Sequence, residues 1–220
     1  MSTDTQSMRV IVFGGAGDVG RRMVREGVHR GHRVTAVGRR QPEPGVHPES
    51  VTTLVADVGG DSDLTSLIAD HDAVISALRP PNGEEGGLVA LTEAVVSAAI
   101  EAGRRFLVVG GAAPLFLADG SGHTVLSAPG FLPDSVVAIA EACHAQHDWV
   151  LPRLGGLGTY LCPPAMLSPG IRTGAYRLGT DTLVTGPGGD SRITFEDFAV
   201  AALDELERPA HTGRRFTVGA

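Results

Sequence analysis

From residue 9 onward the chain alternates short, largely apolar runs with longer stretches whose apolar positions recur every three or four residues. Runs at residues 10–13, 32–37, 51–55, 73–77 and 106–109 have few interruptions, the pattern of strands buried on both faces. Between them the 3.6-residue period predicts a helix over 19–29 that Gly31 ends, and a helix over 88–102 that is apolar on most sides. A shorter helix runs to residue 69, with Asp61 or Ser62 as its cap. Pro42, Pro44, Gly45 and Pro48 mark a loop, and residues 79–87 mark another. Strands separated by helices in this order predict an α/β fold, a doubly wound parallel sheet covered on both faces.

The second half is less regular. Residues 110–133 read as a long loop, 135–150 as a helix, and 159–162 as a sixth strand ended by Pro163-Pro164. Apolar stretches at 176–178 and 183–185 flank Gly179-Thr180-Asp181 and predict a hairpin. Thr194 is placed to cap a helix over Phe195–Glu207, and 215–218 reads as a final strand. Residues 1–8 are polar and read as a disordered tail, leaving 9–220 as one domain with its substrate-binding elements in the second half. No repeat or linker divides it.

Bulk properties narrow the function. A hydrophobic share of 42% is that of a globular chain, and no apolar run reaches the length of a membrane span. A net charge of −7 argues against nucleic acid as a partner. Cys143 and Cys162 are too few for a disulfide framework, which suits a reducing cytoplasmic location, and both read as small core fillers. All 18 basic residues are arginine, so no mechanism can use a lysine.

The sharpest motif comes directly after the first strand: Arg9-Val-Ile-Val-Phe-Gly-Gly-Ala-Gly-Asp-Val-Gly20. Gly14, Gly17 and Gly20 stand three apart between a strand and a helix, the arrangement that brings bare N–H groups to a pyrophosphate in Rossmann-type folds. Gly14 permits the turn, Gly17 the approach of phosphate, and Gly20 close helix packing. Where the second strand ends, an acidic side chain would select NAD, whereas arginine accommodates the 2′-phosphate of NADP. The chain reads Gly38-Arg39-Arg40 there, which predicts NADP, and Arg21 and Arg22 add positive charge nearby. The bland alternative is that Arg39 and Arg40 solvate a strand end. Asp57, after the third strand, is placed either to accept from an adenine amino group or to cap its own loop.

These residues resemble the atypical short-chain dehydrogenase/reductase family, in its NmrA-like NAD(P)H-binding branch. The resemblance covers nearly the whole chain after residue 8. It includes the glycine loop, Gly38-Arg39, Ala56-Asp57-Val58, His71-Asp72-Ala73-Val74-Ile75-Ser76-Ala77, Val109-Gly110-Gly111-Ala112, Pro163-Pro164-Ala165-Met166, and Ser191-Arg192-Ile193-Thr194 with Glu196-Asp197. It implies that the cofactor lies against Gly14, Gly15, Ala16, Gly17, Asp18, Val19, Gly20, Arg39, Arg40, Asp57, Val58, Ala77, Leu78, Gly110 and Gly111. Within the branch, Pro163-Pro164 followed by Thr173-Gly174-Ala175-Tyr176 is similar to biliverdin/flavin reductases, which implies NADPH passing hydride to a flat conjugated acceptor. The chain departs from the wider family in having no lysine to complete a Tyr-x-x-x-Lys pair with Tyr160 or Tyr176. It also has Ala112 about where flavin-reductase relatives carry a serine.

For proton donation the candidates are His144, on the helix of the second half, and His123, in the long loop. The alternative for each is a histidine with no catalytic duty. Glu141, His144 and His147 share a helical face, but lack a further ligand set, so no metal is expected. No Gly-x-Ser-x-Gly elbow supports a serine hydrolase. The acceptor pocket is expected over the carboxyl ends of the fourth to sixth strands, lined by Leu78, Arg79, Ala112, Pro114, Leu115, Phe116, Pro164 and Met166. Ordinary packing would equally explain these side chains. The resulting expectation is an NADPH-dependent oxidoreductase, monomer or homodimer, reducing a small flavin, quinone or polyketide-like compound. The alternatives are a non-catalytic NADP(H)-sensing module and a cofactor-using isomerase or epimerase.

Overall fold

A computed structural model describes residues 6–220. The first half contains β1 (Arg9–Phe13), α1 (Asp18–His29), β2 (Arg33–Gly38), β3 (Thr52–Val55), α2 (Leu64–Ala69), β4 (Ala73–Ser76), α3 (Leu88–Glu101) and β5 (Arg105–Val109). The second contains α4 (Asp134–Val150), β6 (Gly158–Cys162), β7 (Met166–Ser168), β8 (Arg177–Gly179), β9 (Arg192–Thr194), α5 (Phe195–Glu207) and β10 (Arg215–Gly219). Eight strands form one sheet in the order β3-β2-β1-β4-β5-β6-β10-β8. Every neighbouring pair is parallel except the last, β10 with β8. This is a single-domain Rossmann-type α/β fold.

Side-chain alternation along β1 divides the core. Val10 and Val12 face α1 and α5, joining Met23, Val24, Phe198 and Leu203. Ile11 and Phe13 face the opposite layer, with Ile68, Val95, Val96 and Val150. Both faces are therefore covered, which is why the strands carry few polar residues. β1 pairs β2 on one side and β4 on the other, so successive crossovers diverge at its carboxyl end and open a crevice there.

Two local expectations are corrected, and one feature is new. α2 starts later than anticipated: Asp63 is its cap, accepting the Ser66 N–H at 3.0 Å, rather than Asp61 or Ser62. The hairpin around Gly179-Thr180-Asp181 does not form. β8 instead pairs Gly179 with Thr217 and Leu178 with Val218 on β10, while the Leu183 N–H donates to Phe116 O at 2.9 Å. The edge of β10 offers a ladder to a strand that completes the main sheet, and that outweighs a local turn. β7 and β9 form a separate parallel pair that the periodicity did not reveal.

Of the expected N-terminal tail, residues 1–5 lie outside the described residues. Ser7 and Met8 are tied down, by Ser7 Oγ donating to Gly31 O at 2.7 Å and Met8 N–H donating to His32 Nδ1 at 3.3 Å. Among the described residues, no helix is long and apolar enough to cross a membrane.

Candidate active site

The glycine loop closes the crevice at the end of β1. The N–H groups of Gly14 and Gly15 both donate to Val37 O, at 3.0 and 3.2 Å, and the Gly17 N–H donates to Gly14 O at 3.0 Å. Gly14 has φ +79°, and a Cβ there would lie 2.4 Å from Ala77 O on the neighbouring crossover. At Gly20 a Cβ would stand 2.2 Å from Gly14 O, so α1 packs against the loop only without one. No side chain caps α1, and its first N–H groups lie at the cavity edge formed by Gly17, Asp18 and Val19. A cradle with this close backbone approach and exposed helix N-terminus fits a dinucleotide pyrophosphate.

Two cavities meet at this loop and share Gly17, Ala77, Leu78 and Arg79. The first, of about 850 Å³, runs over β2 and β3 and is lined also by Gly14, Ala16, Arg39, Asp57 and Val58. Asp57 lines the cavity and also caps its own loop, its Oδ1 accepting the Gly59 N–H at 3.2 Å. Arg39 lines this cavity and Arg40 does not.

The two arginines after the third glycine do not contribute there. Arg21 pairs with Asp18 at 2.6 Å. Arg22 pairs with Glu196 at 3.1 Å and lies over the Phe195 ring. Carboxylates within reach thus hold both guanidinium groups along α1 and toward α5.

The second cavity, of about 660 Å³, lies over the carboxyl ends of β4, β5 and β6. Of the residues anticipated there, Leu78, Arg79, Ala112 and Pro164 line it, together with Gly110 and Gly111. Four do not. Leu115 is fully buried in the core, and Pro114 is buried beside it. Phe116 is engaged in backbone bridges to Thr124 and Thr182, and Met166 is over half exposed on β7.

Sequence reading missed the wall that α4 supplies through Val136, Ile139, Ala140, Cys143 and Gln146, and the cover from Val125 and Leu132. The helical spacing of the α4 residues was visible, but nothing local said that this face would look into the cavity.

The same geometry removes both histidine candidates from the cavity wall. His144 comes after Cys143 around α4 and turns toward Asp148, with 3.6 Å between Nε2 and Oδ2. His123 sits on an exposed loop, 3.5 Å from Ser127 Oγ. His147 is buried beneath the site. Burial holds its pKa below the ordinary value, while its Nδ1 is 3.0 Å from Asp148 and its Nε2 3.1 Å from Arg215. Among the described residues, no three His, Cys, Asp or Glu side chains are grouped to hold a metal.

Behind the wall of the second cavity lies a chain of hydrogen bonds that reaches the wall at Gln146. The Tyr160 hydroxyl, fully buried, donates to Gln146 Oε1 at 3.0 Å, and Gln146 Nε2 donates to Thr92 Oγ1 at 2.9 Å. Thr92 in turn donates to Leu88 O at 2.8 Å. Burial raises the Tyr160 phenol well above its ordinary pKa and pushes the Cys143 thiol up to about 11, so both stay protonated at neutral pH. Among the described residues, the polar side chains on the wall are Asp18, Arg79, Cys143 and Gln146.

Known proteins match most of the chain. A family model described as NAD(P)H-binding matches residues 14–209. The uncharacterized protein YwnB of Bacillus subtilis is 34% identical over 215 residues, 96% of this chain and 98% of that protein. A solved structure from Bacteroides thetaiotaomicron, of a protein named a candidate epimerase, is 32% identical with a TM-score of 0.86 over 97% of each chain. Another, from Streptococcus pneumoniae, of a protein named a candidate NADH-flavin reductase, is 26% identical. Its TM-score is 0.85, over 97% of this chain and 99% of that one.

Proposed function

Because the chain belongs to the NAD(P)H-binding family, we propose that it is an NADPH-dependent reductase of a flat, conjugated acceptor of the flavin or quinone kind. The observation that carries this reading is the junction of the two cavities at Gly17, Ala77, Leu78 and Arg79. A cofactor lying across the glycine loop with its adenosine half in the larger cavity would present its nicotinamide to the smaller one. When bound, that ring supplies a hydride, equivalent to two electrons and one proton.

The chain's own residues position and exclude. Gly14 and the start of α1 would hold the pyrophosphate, and Arg39 would meet the ribose phosphate that distinguishes NADPH from NADH. Val136, Ile139, Ala140 and Leu132 cover the acceptor's faces and keep water from the transfer. A thiol held at about 11 and an amide make poor general acids at neutral pH. This favours an acceptor that delocalises the incoming charge over its own rings and takes its proton from water only after the transfer, on leaving the site. The flavin acceptor named for the Streptococcus pneumoniae relative is of that class. Both cysteines are free, which suits a cytoplasmic setting.

Loss of nicotinamide absorbance on mixing NADPH with a panel of flavins, quinones and enones tests the proposal. Turnover with at least one carbonyl-bearing conjugated acceptor is expected. Tight NADPH binding without consumption by any of them would overturn it. That outcome would leave the rival favoured by the weakly acidic wall, an NADP(H)-responsive binding module.

A further inference from the structure

Among the described residues, Gln146 is the polar side chain of the acceptor cavity that is both buried and incompletely used. Asp18 is paired with Arg21 and Arg22, and Arg79 is exposed where the two cavities meet. Gln146 is only 1% exposed and lies on the cavity wall. Its amide is clamped from both sides: Oε1 accepts the Tyr160 hydroxyl at 3.0 Å, and Nε2 donates to Thr92 Oγ1 at 2.9 Å. Thr92 spends its own hydroxyl proton on Leu88 O, so toward Gln146 it accepts. An amide nitrogen carries two N–H groups, and this one commits a single one to the protein. Among the described residues the other has no acceptor.

A buried donor without an acceptor costs free energy, and a ligand oxygen arriving there recovers it. We infer that the spare Gln146 N–H receives a ring carbonyl oxygen of the acceptor, making Gln146 the residue that orients conjugated carbonyl compounds over the nicotinamide position. The inference rests on the reductase reading and adds the functional group by which the substrate is recognised.

The chemistry favours a carbonyl over other partners. The surrounding wall of Ile139, Ala140 and Val136 suits an apolar ring system, and a carbonyl oxygen supplies the acceptor that the spare N–H lacks. When hydride adds to a quinone ring, the C4–H bond of the cofactor breaks and a bond to the acceptor forms. NADPH is oxidised to NADP+, and the two electrons gained by the quinone leave negative charge on its oxygen until water protonates it. A donor fixed at that oxygen by Tyr160 and Thr92 binds the charged form more strongly than the starting carbonyl. Gln146 then acts on the substrate itself, while Tyr160 and Thr92 are positioning residues behind it.

The test compares 2-methyl-1,4-naphthoquinone with its carbonyl-free counterpart, 2-methylnaphthalene, by calorimetric binding to the NADP+-saturated protein. In Gln146→Met the quinone is expected to bind about five-fold more weakly than in the wild type, the worth of one neutral hydrogen bond. The hydrocarbon should bind both proteins equally. Should Gln146→Met fold poorly, the wild type still decides: one Gln146 side-chain amide proton resonance should shift with the quinone and not with the hydrocarbon.

Equal losses for both ligands, an unmoved amide resonance, or no quinone binding would overturn the inference. Failure of the reductase reading looks different. In that case the quinone-selective binding and amide shift persist while wild-type protein leaves NADPH unconsumed.

Discussion

Gly110 lies against the ring of Tyr160 so closely that a Cβ at 110 would stand 2.1 Å from Tyr160 Cζ. The contact joins the end of β5 to the middle of β6, and Tyr160 is fully buried. The phenol ring therefore leaves room only for a residue without a side chain after Val109. Gly110→Ala is expected to cost about 2 kcal/mol in urea unfolding, as overpacking does. Combining it with Tyr160→Leu, which removes the ring, should cost less than the two single changes added together, by more than about 0.5 kcal/mol.

Arg39 is the only arginine at the end of β2 that lines the larger cavity. If it meets the ribose phosphate, Arg39→Ala should weaken NADPH binding by about 10- to 100-fold, the range for a charge-assisted hydrogen bond. NADH binding should change by less than about three-fold. Fluorescence titration with both nucleotides checks this, and equal losses would mean that Arg39 serves the loop rather than the phosphate.

Glu26 carries the charge network that holds α1 to the segment before β8. Arg30 Nε and Arg172 Nε each approach its carboxylate at 2.7 Å. Burial alone would raise this carboxyl, but hydrogen bonds and charge from Arg172 and Arg30 outweigh it and leave its pKa below the ordinary 4.5. A carboxyl lowered in the folded state contributes stability in full above pH 4.5. That contribution is lost as pH falls through the lowered folded value. Glu26→Gln should therefore destabilise by about 3 kcal/mol at neutral pH. In denaturation series the gap between variant and wild type should narrow only below pH 4.5.

Cys143 faces the acceptor cavity with its thiol pushed up to about 11 by burial. Its alkylation by iodoacetamide should be slow at neutral pH and rise about ten-fold per pH unit until close to 11, because the thiolate is the reactive form. Cys162, fully buried and pushed up to about 12, should stay unmodified in the folded protein. Mass spectrometry of peptides labelled over a pH series distinguishes the two. A Cys143 rate that levels off near its ordinary value of 9.0 would show that the thiol is more hydrated than its packing implies.

Much of the fold is legible in the sequence. Val10 to Phe13 could only be a two-sided buried strand, and Gly14, Gly17 and Gly20 announced a phosphate-binding turn and a helix after it, because turn chemistry and apolar period are properties of neighbouring residues. The Thr194 cap of α5 was equally local: its side chain accepts the Asp197 N–H at 3.0 Å. Where neighbours were nearly equivalent, as at the start of α2, Asp63 caps the helix instead of the expected Asp61 or Ser62, a choice that composition could not make.

The acceptor site was not legible in the same way. Sequence alone established a parallel sheet, a dinucleotide loop, an arginine at the strand end and a chain with no lysine to serve as a proton relay. Tertiary structure decided which face of α4 meets the cavity, and so put Cys143 and Gln146 on its wall while turning His144 to Asp148. It also decided that β8 would complete the main sheet rather than close a hairpin. Both decisions turn on burial between segments far apart in the chain. An amphipathic pattern states that a face will be covered; only the packed layers state by what.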